Sequence, residues 1–223
     1  MVIAGNKKLK INEIFDSIQG EGKYQGYPVT FIRLSGCDRC CTWCDSKYHT
    51  KGEYYNLAYL KNKLSKYENR HCFVVTGGEP LLQYINLVAL IRSLKSKKFI
   101  WMLETNGDYI SDKTIGSNKG IKTLLKYFSY ISISPKEEKV AYKVWKLRNK
   151  LKNKNRVEIK VVTDLENVGL LMLKYATSLM PLTVSSKEKS LEISQKVWNY
   201  CVKHNLHFSS RLHYLIWGNK RKK

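Results

Sequence analysis

Apolar residues along this chain collect in short β-branched and aromatic runs, separated by longer stretches with helical spacing. The runs are "PVTFIRL" (28–34), "CFVVT" (72–76), "FIWMLE" (99–104), "YISIS" (130–134), "RVEIKVV" (156–162) and "LMPLTV" (179–184). Each suits a pleated, half-buried surface and is too short for most helices, so six strands are predicted. Between them, "NLAYLKNKLSKYEN", "LLQYINLVALIRSLKSK", "KVAYKVWKLRNKL" and "DLENVGLLMLKYA" predict helices, the connection over 111–127 is less clear, and "KEKSLEISQKVWNYCVKHN" predicts a final helix. Val88, Ile91 and Leu94 recur at helical spacing in the second of these, and Ile193, Val197 and Cys201 in the last. Strand-then-helix alternation calls for parallel strands with helices outside them. The expected fold is therefore α/β, a partial (βα)6-type barrel, with an open doubly wound sheet also compatible. No internal repeat or low-complexity linker interrupts the pattern, so residues 1–223 read as a single domain with a basic tail at 219–223.

The polar residues add a second pattern, because each apolar run gives way at its C-terminal end to an unusual group. The first is followed by "GCDRCCTWCDS" (36–46), the second by "GGEP" (77–80) and the third by Glu104 and "TNG" (105–107). The fourth ends in Ser134, Pro135 and Lys136, and the fifth in Thr163 and Asp164. Taken singly, Gly-Gly, Asn-Gly and Ser-Pro are ordinary turn dipeptides. At matching ends of successive parallel strands they instead mark the rim where substrates and cofactors bind. Gly77 and Gly78 would let backbone approach a bulky ligand closely.

Composition narrows the class. Hydrophobic residues make up 43% and aromatics 12%, which is globular and not disordered. No run reaches 18 apolar residues and "MVIAGNKKLK" lacks the apolar stretch of a signal peptide, so a cytoplasmic protein with no membrane partner is expected. Lys and Arg number 40 against 18 Asp and Glu, a formal charge of +22. A basic surface attracts nucleic acid, yet the lysines are spread along the chain without an aromatic-studded module, so no nucleic-acid partner is required.

Six cysteines in such a chain point to metal or catalytic use in place of a disulfide framework. Cys72 and Cys201 lie in apolar surroundings and read as buried thiols. The other four allow two ligand patterns. As C-x2-C-C-x2-C they resemble zinc half-sites, although zinc usually takes two pairs separated by a loop. As C-x3-C-x2-C, Cys37, Cys41 and Cys44 supply three thiolates from one loop, which suits an iron–sulfur cubane whose fourth iron is left for another ligand. In that reading Cys40 is a bystander.

The spacing of Cys37, Cys41 and Cys44, with "GGEP" after the next strand, resembles the radical S-adenosylmethionine (SAM) superfamily. "EIFDSIQGEG" (13–22), "FIRLSGC" (31–37), "WCDS" (43–46), "ETNG", "SPK" and "LHYLIWGNKR" (212–221), in that order, are similar to the 7-carboxy-7-deazaguanine synthases within it. The resemblance implies a radical SAM lyase that converts 6-carboxy-5,6,7,8-tetrahydropterin to 7-carboxy-7-deazaguanine with loss of ammonia, on the path to queuosine-type nucleosides. It implies a [4Fe-4S] cluster on Cys37, Cys41 and Cys44, with SAM chelating the open iron and being cleaved to a 5′-deoxyadenosyl radical that takes a hydrogen from the pterin. SAM contacts carry over to Thr42, Trp43, Cys44, Gly78, Ser134, Pro135 and Lys136. Substrate contacts carry over to Ile18, Gln19, Gly20, Arg33 and Thr76, with Arg33 suited to a carboxylate by its planar fork. Ser46 stands at a hydroxyl ligand for Mg²⁺, a cation that prefers oxygen. A homodimer and a reductant such as flavodoxin or ferredoxin are implied as partners. Departures occur at Met180, where other members carry glutamine, and at the tail, which runs on through "WGNKRKK"; His213 aligns with a family histidine near the site. Two other readings compete. A glycyl-radical-enzyme activase shares C-x3-C-x2-C and "GGEP", and a zinc-stabilised nucleic-acid binder would use the charge.

Overall fold

A computed structural model describes residues 7–44, 46, 50–110, 120–218 and 220–222, so Asn219 and Lys223 of the basic tail lie outside the described residues, as do 111–119 of the unclear connection. Packing divides the chain into two units: 1–17, 28–105 and 113–131 form the first, and 18–27, 106–112 and 132–223 form the second.

The first unit holds β1 (Lys8–Ile18, whose last residue belongs to the second unit), β2 (Pro28–Leu34), β3 (Glu53–Asn56), β4 (Cys72–Gly77) and β5 (Ile100–Thr105), in the spatial order β3-β1-β2-β4-β5. β2–β4 and β4–β5 are parallel, and β1–β3 is antiparallel. Helices α1 (Leu57–Leu64), α2 (Tyr84–Ser93) and α3 (Ile121–Leu124) supply its other layer. β4 reads "CFVVTG" and is buried at all but its last residue, as expected of a strand covered on both faces. Phe73 is the centre of this core: it pairs in register with Trp101 of β5 and their rings stack at 4.8 Å. Such aromatic pairs add about 0.5–1.5 kcal/mol beyond the area they bury.

The strand β6 (Tyr130–Ile133) carries the partition, which falls after Ile131. The second unit continues with β7 (Val157–Thr163), β8 (Ser178–Pro181) and β9 (His207–Phe208), in the order β6-β7-β8-β9, with β7–β8 and β8–β9 parallel. Its helices are α4 (Glu138–Asn149), α5 (Lys187–His204) and α6 (Leu212–Trp217). The Ser186 hydroxyl accepts the Lys189 N–H at 3.1 Å to start α5, and Asn205 ends it in the left-handed conformation that asparagine tolerates. The Ile193, Val197 and Cys201 face of α5 is buried. The fold class is thus α/β with mostly parallel strands, and among the described residues no helix is long and apolar enough to cross a membrane.

The six predicted strands all form, but the segment "DLENVGLLMLKYA" does not make an α-helix. The Asp164 carboxylate accepts the N–H groups of Asn167 and Val168 at 2.8 Å and of Glu166 at 3.1 Å, closing a turn instead. Leu165 and Gly169 then take positive φ, leaving only a 3-10 helix at Leu170–Tyr175. Three strands escape prediction. β1, "KLKINEIFDSI", alternates buried and less buried positions for most of its length but mixes charge into nearly every other residue. β3 and β9 are too short to show a pattern.

Candidate active site

In the first unit the cysteine loop leaves the C-terminal end of β2 and is fastened at once. Ser35 donates its N–H to the Lys10 carbonyl at 2.9 Å and its hydroxyl to the Lys51 carbonyl at 2.6 Å. The segment after β4 then lies against it: Gly78 N–H donates to Leu34 O at 3.2 Å and Glu79 N–H to Gly36 O at 2.9 Å. A Cβ at Gly77 would overlap the Leu34 backbone, and one at Gly78 would overlap the Gly36 carbonyl. These glycines let β2 and the start of the cysteine loop pack closely against the segment after β4. Glu79 is fully buried beneath this junction, and its Oε1 accepts Leu81 N–H at 2.9 Å and the Thr105 hydroxyl at 2.7 Å. The loop after β2, the segment after β4 and Thr105 at the end of β5 thus meet within this unit.

Cys37, Cys41 and Cys44 are half-buried free thiols, whereas Cys40 is exposed. The loop turns through a Cys44 N–H to Cys41 carbonyl bond of 3.1 Å, with Thr42 and Trp43 on the outside of the turn. Burial pushes the Cys37 thiol up, the Arg39 backbone bond opposes this, and the negative charges of Asp38, Glu79 and Cys41 push it further. Three half-buried thiols on one loop are the donor type that an iron–sulfur cluster takes, so the donor set fits such a cluster in its chemistry. Among the described residues, however, no group of three or more His, Cys, Asp or Glu has the mutual placement of a metal site. Cys72 and Cys201 are buried free thiols, the first pushed up to about 11 by burial and the second raised by the same cause.

Arg33 sits on β2, one residue before its end. Its Nε donates to Glu13 Oε1 at 2.9 Å and its Nη1 to the Ser46 hydroxyl at 3.1 Å, with the Glu13 side chain almost wholly buried. Ser46 is itself buried, so its oxygen faces a guanidinium. Thr76, next to the end of β4, donates its hydroxyl to Glu104 Oε2 of β5 at 3.0 Å. The hydroxyl's lone pairs remain its means of meeting a donor.

The second unit carries Ile18, Gln19 and Gly20 at the mouth of a closed loop. Gln19 N–H donates to Tyr27 O at 2.8 Å, and Gly26 N–H returns to Gln19 O at 2.8 Å. Gln19 is buried and Ile18 exposed. Gly20 accepts the Leu212 N–H at 2.9 Å, and a Cβ there would overlap the His213 ring, which assigns His213 a packing contact with this loop. Glu21 follows, its Oε2 2.5 Å from Lys160 Nζ and its Oε1 3.6 Å from Arg211 Nε. Burial acts to raise its pKa, but the charges of Lys160, Arg211 and His213 prevail and hold the carboxyl near about 2. Gly22 donates its N–H to the Ser209 hydroxyl at 2.8 Å. After β6, Lys136 Nζ donates to the Ser134 hydroxyl at 3.0 Å, and Pro135 between them is buried. Met180 is a buried core residue of β8.

The spacing of motifs does not reveal Glu13, Glu21, Glu79 and Glu104 as partners of these groups. The only signal is their apolar setting, since a carboxylate inside a run such as "NEIF" or "MLET" has to find a partner when buried.

Comparison with known proteins bears on the family and the fold. Residues 31–169 match the Radical SAM superfamily model. The 7-carboxy-7-deazaguanine synthase of Hyperthermus butylicus is 31% identical over 229 residues, covering 95% of this chain and 94% of that one. That of Neisseria meningitidis serogroup B is 41% identical over 102 residues, a match spanning 46% of this chain and only 47% of that protein. A crystal structure of QueE from Escherichia coli superposes with a TM-score of 0.57 at 20% identity, covering 94% of this chain and 96% of that one, which speaks to the fold. The chain belongs to the radical SAM superfamily and, within it, to the 7-carboxy-7-deazaguanine synthase family.

Proposed function

We propose that the chain converts 6-carboxy-5,6,7,8-tetrahydropterin to 7-carboxy-7-deazaguanine with loss of ammonia, using the [4Fe-4S] cluster and SAM that membership of the superfamily implies. The observation that carries the reading is the fastening of the cysteine loop by Gly77, Gly78 and Glu79, which sets three half-buried thiols beside one exposed one. Cys37, Cys41 and Cys44 would hold the cluster. When bound, cluster and SAM supply the one-electron chemistry that removes a hydrogen atom from the substrate. Thr42, Trp43, Gly78 and the Ser134, Pro135, Lys136 turn contribute to holding SAM.

The chain's own residues bind and orient the pterin. Arg33 receives its carboxylate, with buried Glu13 fixing the plane of the guanidinium through Nε so that the fork is pre-aimed. Thr76, held by Glu104, accepts from a ring N–H, and Ile18, Gln19 and Gly20 are the further substrate contacts that the family resemblance assigns. Mg²⁺ at Ser46 is the finer part of the proposal. Among the described residues the buried Ser46 hydroxyl, which accepts from Arg33, would offer the cation an oxygen of the kind that it prefers, with substrate and water oxygens needed beside it. Residues 1–223 act as one domain, in keeping with a family match that runs through stretches of both units. The protein works as a cytoplasmic homodimer with a flavodoxin or ferredoxin reductant.

Turnover of anaerobically reconstituted protein with reductant, SAM, Mg²⁺ and 6-carboxytetrahydropterin tests the reading. Deazapurine of the expected mass with stoichiometric ammonia is the predicted outcome; 5′-deoxyadenosine released without it would overturn the substrate while leaving the superfamily intact.

A further inference from the structure

Within the second unit, the Ile18–Tyr27 loop is held more firmly than its closure requires. Its two closing bonds, Gln19 N–H to Tyr27 O and Gly26 N–H to Gln19 O, both run through the peptide groups of Gln19. Such a pair makes a hinge, which brings the ends of a compact loop together and leaves the residues between them free to swing. Five consecutive residues after β9 prevent that swing. The Ser209 hydroxyl accepts the Gly22 N–H at 2.8 Å, and the Ser210 hydroxyl donates to Gln25 Oε1 at 2.9 Å. Arg211 Nε faces Glu21 Oε1 at 3.6 Å, Leu212 N–H donates to Gly20 O at 2.9 Å, and the His213 ring packs on Gly20. On its other side the loop lies against β7, where Lys160 Nζ meets Glu21 Oε2 at 2.5 Å and a Cβ at Gly22 would overlap the Glu158 carboxylate. Glu21 joins the two sides with a single side chain, one carboxylate oxygen toward Lys160 and the other toward Arg211.

This anchoring reaches Gln19. Glu21 donates its backbone N–H to Gln19 Oε1 at 3.3 Å, so the place of Glu21 sets the direction of the Gln19 side-chain amide, which is buried. A buried ion pair is a poor source of net stability, because desolvation of both charges offsets much of their attraction and apolar residues of similar volume commonly serve as well. What the pair supplies is direction: few mutual arrangements satisfy both charges, and a loop tied to them keeps one orientation.

We infer that Glu21 is a positioning residue for the pterin, acting through Gln19 by holding its side-chain amide in the orientation that meets the bound substrate. The inference rests on the substrate reading above, in which Gln19 is a contact. Lys160 and Arg211 take part by fixing the Glu21 carboxylate, and Ser209–His213 form the brace that keeps the loop from turning about Gln19.

The test is equilibrium binding of 6-carboxy-5,6,7,8-tetrahydropterin to the reconstituted full chain, by anaerobic calorimetry with SAM and Mg²⁺ and without reductant, so that no turnover occurs. Gln19→Ala and Glu21→Gln should each weaken pterin binding by about tenfold, and the double variant by little more than either alone, because a side chain that is gone no longer needs positioning. Iron content and SAM affinity should stay at wild-type values, which a general loss of structure would not allow. Arg211→Gln leaves Lys160 on Glu21 and is carried through the same cycle, with a smaller loss and the same non-additivity expected. Unaltered pterin binding in folded Glu21→Gln, or in Arg211→Gln where Glu21→Gln does not fold, would overturn the inference and leave the substrate reading standing. So would a double variant weakened about a hundredfold, the product of two independent effects, or a loss of iron or SAM affinity equal to the loss of pterin. Wild-type protein that binds no pterin overturns the substrate reading and this inference with it.

Discussion

Cys40 and Cys41 are neighbours in sequence, yet one is exposed and the other half-buried beside Cys37 and Cys44. After anaerobic reconstitution, Cys41→Ala should lose most of its iron and Cys40→Ala should keep close to the wild-type content; the reverse result would reassign the ligands. Arg33 offers a second residue-level test, because its use depends on the shape of the fork and not on charge alone. Arg33→Lys should raise the KM for the pterin by about tenfold, with SAM affinity unchanged in equilibrium binding. Gly78 has no left-handed φ to explain it, so the cost of Gly78→Ala is purely steric. A methyl driven against the Gly36 carbonyl should destabilise the fold by about 1–3 kcal/mol in denaturant titration and loosen the cysteine loop with it. Residues such as Gly78 and Cys41 are legible in sequence because their chemistry is local. The partners of Glu13, Glu104 and Glu21 are not, since they stand 20, 28 and 139 positions away.

The Ile18–Tyr27 loop behaves as an element of its own, closed by two backbone bonds and anchored through Glu21 on Lys160 of β7. Breaking a buried ion pair from one side costs about 3–5 kcal/mol, so Glu21→Gln should destabilise the protein by an amount of that order. The folded carboxyl titrates near 2 against an ordinary 4.5. A depressed pKa means that its stabilisation is complete above about pH 4.5 and is lost as pH falls toward 2. Stability measured across that window should therefore decline less steeply in Glu21→Gln than in the wild type. The alternation "VEIKV" in β7 was visible, with Glu158 and Lys160 between apolar neighbours, but nothing local says that Ser132 and Glu21 would satisfy them. The 3-10 helix at Leu170–Tyr175 shows the converse, a helical-looking run overruled by one carboxylate that captures three backbone N–H groups.

For the molecule as a whole, the distribution of its six cysteines can be counted in solution. In metal-free protein, Cys37, Cys40, Cys41 and Cys44 should react with a thiol reagent under native conditions, whereas Cys72 and Cys201 should react only after unfolding. The alternation of strand and helix was enough to read the α/β class, because six of the nine strands among the described residues are covered apolar runs. The charge of +22 was not informative in the same way, because its lysines are spread along the chain.

The partition of the chain has a genetic consequence. The boundary between the two units is crossed near residues 17, 27, 105, 112 and 131, so each unit is assembled from several separate stretches of one gene. A break after residue 131 keeps every residue of the first unit but takes 18–27 and 106–112 from the second, and no single break yields the second without parts of the first. A gene cut there should therefore encode the first unit together with two stretches that have lost the rest of the second.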